Sequence, residues 1–138
     1  MNLTSTFMPI VPLYASILAL LFVLLSARTA GLRRSLRIAI GDEGNKEMLR
    51  AMRVHSNFAE YVPYCLLLMY FVEASAASPV LVHFLGTSLV VGRVSHAFGV
   101  SQARENFAFR VFGITLTFTV LVASAGYLLW SRLFNVVA

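Results

Sequence analysis

Four apolar stretches alternate with polar clusters along the chain, and each predicts a helix. The first covers about residues 8–27 and is apolar apart from Tyr14 and Ser16. Pro9 and Pro12 lie near its start, where proline is tolerated. From Arg28 to Lys46 the chain is polar and basic and contains Gly31, Gly41, Asp42, Gly44 and Asn45, a pattern that predicts a mobile loop. The second stretch, about 45–77, begins amphipathic and charged and becomes almost wholly apolar between Tyr61 and Val72. Such a helix projects beyond a bilayer at its charged end. After Ser75-Ala76-Ala77-Ser78 a third segment covers about 79–98, where Gly86 and Gly92 suit a closely packed membrane helix. A polar connection follows, in which Glu105 suits the start of the next helix. The fourth segment covers about 107–134, with Trp130 near its end as an interfacial anchor.

Composition fixes the class. The chain has 138 residues, of which 59% are hydrophobic and only 12% charged, and its mean hydropathy is +0.79. Soluble domains carry about twice that charge, and disorder needs low hydrophobicity. At about 20 residues per span, 138 residues accommodate four spans and short connections. The expectation is an all-α integral membrane protein, a four-transmembrane-helix bundle forming one domain over residues 1–138. The net charge of +5 is read as residues that flank and orient spans rather than as a nucleic-acid surface. Five Lys and Arg fall in the first connection and none in the second. The first and third connections are therefore expected on the cytoplasmic side, and both termini outside. Residues 1–10 hold no Lys or Arg, so the first segment is expected to be a retained span rather than a cleaved signal. Cys65 stands alone in an apolar run, which excludes an internal disulfide and a multi-cysteine metal site.

The chemistry concentrates on the second segment. On a helix, Lys46, Arg50, Arg53, Asn57, Glu60, Tyr61 and Tyr64 share one face about 100° wide. Charges inside a membrane are costly and face a bundle interior or a watered cavity, so this face predicts a polar pocket open toward the cytoplasm. The same residues also fit a purely structural role, with Arg53 and Glu60 paired to neighbouring helices and Arg93 the natural partner of Glu60. His55 falls off the polar face and reads as an interface or lipid-headgroup residue, not a ligand; Glu73 reads as interfacial, and His83 as a lone histidine without metal-binding company. As a binding surface, forked arginine donors suit carboxylates, Asn57 both donates and accepts, and Glu60 suits an ammonium group. A small zwitterionic peptide with two carboxylates and one amine, such as glutathione, matches that set.

The run Arg53-Val-His-Ser-Asn57-Phe-Ala-Glu60-Tyr61-Val-Pro63 resembles the second-helix signature of the MAPEG family, the membrane-associated proteins of eicosanoid and glutathione metabolism. The resemblance covers nearly the whole chain and is nearest to the short bacterial members. It implies a four-helix bundle assembled as a homotrimer, with glutathione held as co-substrate between subunits near the cytoplasmic side of a bacterial inner membrane. By motif, Arg53, Asn57, Glu60 and Tyr61 are expected to contact glutathione, joined by Arg28, Arg93 and His96. Arg110, in Phe109-Arg110-Val-Phe-Gly113, matches the family's helix-four arginine beside the thiol and is the expected catalytic residue. Thr29, His96 and Val100 depart from the pattern of leukotriene C4 synthase and point away from eicosanoid synthesis. The implied activity is a glutathione transferase or peroxidase acting on lipophilic small molecules, with no metal. The alternative is a non-catalytic trimer whose basic connection binds anionic lipid headgroups or a protein partner.

Overall fold

The computed structural model describes residues 9–104 and 106–134; Met8, Glu105 and the two ends of the expected domain lie outside the described residues. Four helices follow one another: α1 (Val11–Leu36), α2 (Lys46–Ala74), α3 (Pro79–Ser101) and α4 (Phe107–Phe134). Local chemistry sets their ends. Asn45 is extended and its side chain accepts from the backbone N–H groups of Glu47 (3.0 Å) and Met48 (2.9 Å), capping α2. Ser78 caps α3 through Leu81 N (3.3 Å), with Pro79 in the first turn.

The first helix overruns its expected end by nine residues. The expected loop from residue 28 begins only at Arg37, which takes the left-handed conformation (φ 58°) and closes the helix. Between Ala27 and Leu36 Gly31 disfavours a helix by only about 1 kcal/mol and does not break it, and Arg33 and Arg34 in the last turn complement the negative end of the helix dipole. The remaining connection is tied down: Arg33 donates to the carbonyls of Ala39 (3.4 Å) and Gly41 (3.0 Å), and Ile38 is buried.

Three of the four helices, α1, α3 and α4, are long and apolar enough to cross a membrane. With 29 residues, α2 is about 44 Å long; its first half carries the charges that separate it from the others. Yet α2 packs against all three other helices, as α3 does. Its buried residues Met48, Ala51, Val54, Phe58, Val62, Cys65, Met69 and Val72 recur at spacings of three and four, one stripe facing the core. Leu18 of α1, Val82, Leu85 and Leu89 of α3 and Val120 of α4 complete that core. Large apolar side chains such as Leu20, Leu24, Phe84, Val122 and Leu129 point outward, as on a surface bathed in lipid or covered by another chain.

Two contacts lock the end of the bundle where α1 begins. Glu73, expected at the interface, is buried, and its carboxylate accepts the backbone N–H of Ile10 and of Val11 (3.1 Å), capping α1 from α2. The Tyr14 hydroxyl meets His83 Nδ1 (2.9 Å) and Thr87 Oγ1 (3.1 Å), and its ring fills the notch left by Gly86. His55 packs inward as well: it stacks on Phe22 with centroids 4.8 Å apart, and its Nε2 lies 3.0 Å from Ser26 Oγ.

Candidate functional site

A cleft of about 470 Å³ opens at the end of the bundle where α1 ends and α2 begins. That volume falls within the range of small-molecule sites. The N-terminal half of α2 supplies Leu49, Arg50, Arg53, Ser56, Asn57 and Glu60; α3 supplies His96 and Val100, and α4 supplies Arg110. The cleft exists because α2 is polar at this level and cannot pack dry against the other two helices. Arg110 reaches the wall from the first turn of α4, where its backbone N–H donates to Asn106 O (3.1 Å). This turn lies hard against α3, since a Cβ on Gly99 would stand 2.6 Å from Arg110 N. The His96 side chain is held at the closest approach of α3 and α4, beside Gly113.

Five of the expected residues therefore converge: Arg53, Asn57, Glu60, His96 and Arg110. Three stand elsewhere in a single chain. Arg28, carried past the apolar run by the extended α1, donates to Ser101 Oγ at the end of α3. Tyr61 packs edge-on against Phe118 of α4, with centroids 5.3 Å apart. Arg93 is completely buried behind the cleft wall, between α2 and α4. It does not pair with Glu60, because Asn57 is nearer: Arg93 Nη2 donates to Asn57 Oδ1 at 2.8 Å. Its second nitrogen reaches Thr117 Oγ1 at 3.5 Å, and the guanidinium lies 5.5 Å from the Phe58 ring centroid.

The wall is rich in arginine. Arg50, Arg53, Arg110 and one carboxylate, Glu60, line it among the described residues, and two buried wall atoms, Arg50 Nε and His96 Nδ1, have no hydrogen-bond partner. In the helical projection Arg50 lies on the polar face, and Leu49 and Ser56 fall just beyond its edge and line the wall as well. An arginine-lined cavity with an idle guanidinium donor at Arg50 suits an anionic ligand with several acceptors. Among the described residues no three His, Cys, Asp or Glu side chains converge as metal ligands would.

The chain matches the model of the MAPEG family over residues 11–130. It is also similar to the inner membrane protein YecN of two Escherichia coli strains, each 35% identical over 127 residues, covering 89% of this chain and 95% of the relative. No solved structure matches it.

Proposed function

The chain belongs to the MAPEG family, and from that premise we propose that it is a membrane-bound, glutathione-dependent transferase or peroxidase. It activates the glutathione thiolate for attack on lipophilic electrophiles or lipid hydroperoxides. The observation that carries this reading is the cleft between α2, α3 and α4, which brings Arg53, Asn57, Glu60, His96 and Arg110 to one wall. Arginines and Asn57 suit the two carboxylates of glutathione, and Glu60 its ammonium group.

In this reading α2 is the fourth span, crossing with its apolar half while its charged half projects at the cytoplasmic end; both termini face outward. The E. coli relatives are inner membrane proteins by name, which supports the bacterial inner membrane as the location. The assembly is a homotrimer. Within its own chain Arg28 is drawn to Ser101, outside the cleft, and across a subunit boundary the same arginine is available to a neighbour's ligand.

Arg110 stands beside the sulfur and favours the thiolate, the nucleophilic form. Lowering a thiol pKa from about 8.5 by one to two units corresponds to about 1.4–2.7 kcal/mol of differential stabilisation, within the reach of one cation placed beside the sulfur. The thiol proton passes to solvent at the open mouth of the cleft. The thiolate then forms the S–C bond as the leaving group departs with its electron pair. The lipid-headgroup alternative is less well supported, since Arg33 is turned onto the carbonyls of its own connection.

The test is ultraviolet difference absorbance of thiolate formation as glutathione is titrated into detergent-purified protein near neutral pH. A saturable signal that disappears in Arg110→Ala, while calorimetry still registers binding, is the expected result. No signal together with no calorimetric binding in the unmutated protein refutes the transferase reading.

A further inference from the structure

Arg93 is the largest wholly buried side chain in the protein, and among the described residues no carboxylate pairs with it. Intramembrane charges without a counter-ion are costly, so its surroundings bear on the site in front of it. Thr117 Oγ1 donates its hydrogen to Gly113 O (3.0 Å) and is left to accept from Arg93 Nη1 (3.5 Å). On the other side Arg93 Nη2 donates to Asn57 Oδ1 (2.8 Å). A guanidinium has donors and no acceptor. The carboxamide of Asn57 must therefore turn its oxygen inward, and its two N–H groups are left for the cleft that Asn57 lines. The reverse orientation would set N–H against N–H in a buried place and lose the bond altogether.

We propose that Arg93 is a positioning residue: it fixes the Asn57 carboxamide as a donor-only contact, so that Asn57 reads a carboxylate of the ligand and not its ammonium group. The chain Gly113–Thr117–Arg93–Asn57 runs from the backbone of α4 through α3 to the ligand-facing side of α2, so the amide is set by three helices rather than by its own rotamer. Asn57 then works with Arg53, one turn earlier on the same face, as a paired set of donors. This rests on the reading of the cleft as a glutathione site.

Asn57→Asp decides the orientation. Aspartate still accepts from Arg93, now as an ion pair, but offers the cleft no N–H. By calorimetry with glutathione in detergent, Asn57→Asp is expected to bind at least about tenfold more weakly, the value of a hydrogen bond to a charged group. Its thermal midpoint is expected to hold or rise. Unchanged or tighter binding would mean that the ligand uses the amide oxygen, and overturns the proposal. Arg93→Met, which removes the donor and keeps the bulk, tests the route. Its loss of affinity is expected to shrink below twofold in an Asn57→Ala background, because the two residues act as one unit. Full additivity of the two substitutions overturns the positioning role even if Arg93→Met lowers stability. Both effects are expected in KM, with kcat preserved. Unmutated protein that binds no glutathione overturns the function proposed above, an outcome separate from binding that is indifferent to Asn57→Asp.

Discussion

The sharpest test of how the cleft is built is Gly113→Ala. Gly113 of α4 faces Gly92 of α3 where the two helices cross: a Cβ at Gly113 would lie 2.4 Å from Gly92 O, 2.5 Å from His96 N and 2.7 Å from His96 Cβ. Two of these neighbours are backbone atoms, so no side chain can swing aside. The helices must part by more than half an ångström before any real contact is reached. Overpacking of this kind costs about 1–3 kcal/mol, offset by about 0.5–1 kcal/mol because alanine is the better helix former. The net expectation is a destabilisation of up to about 2.5 kcal/mol. The consequence for the site is larger, since His96 and Arg110 stand on the two helices being separated. Misplacing a catalytic group by about 1 Å costs about a hundredfold in rate. Gly126→Ala is the control on the same helix, with no atom within 4 Å of its added methyl. Thermal midpoints in detergent and the thiolate signal with glutathione are the two readouts. If Gly113→Ala matches Gly126→Ala in both, the close α3–α4 crossing does not set the geometry of the cleft.

Two further outcomes are expected at the opposite end of the bundle. Glu73→Gln keeps one acceptor for the first N–H groups of α1 but removes the charge that their dipole favours; the expected loss is about 1–2 kcal/mol, read as a lower thermal midpoint. Gly86→Ala drives a methyl to 2.3 Å from the Tyr14 ring, a clash worth about 1–3 kcal/mol. In a Tyr14→Ala background the same substitution is expected to cost under about 0.5 kcal/mol, because the ring it strikes is gone. Equal costs in the two backgrounds would separate Gly86 from Tyr14.

The polar face of α2 was legible because helical periodicity alone puts Arg50, Arg53, Asn57 and Glu60 together. Arg110 was reached only through family resemblance, since nothing in the spacing says that α4 closes the same cleft. The end of α1 was misplaced for a definite reason: the apolar run stops at Ala27, but a helix stops where its backbone is broken or capped, and here that is Arg37. Contacts that depend on which helix lies beside which were beyond periodicity. Glu73 on the first turn of α1, His55 on Phe22, and Arg93 bonded to Asn57 rather than Glu60 are all of this kind.

The same glycines explain why a bundle this small keeps an open cleft. Gly92 and Gly113 let α3 and α4 approach backbone to backbone, and Gly99 brings the start of α4 against the end of α3, with Asn106 N–H donating to Gly99 O (3.0 Å). Small residues at a membrane helix interface gain dispersion contacts through such an approach. At this level α2 offers Arg50, Arg53 and Asn57 instead of apolar knobs, and an arginine wall closed without ligand or water would strand donors. Farther along, α2 offers Val62, Cys65, Met69 and Val72, which are buried in the apolar core. Tight packing of one helix pair and the polarity of the third therefore produce the cavity jointly. Filling it with an apolar side chain that spares the Arg93–Asn57 bond, as in Arg53→Leu, is expected to raise the thermal midpoint while abolishing glutathione binding.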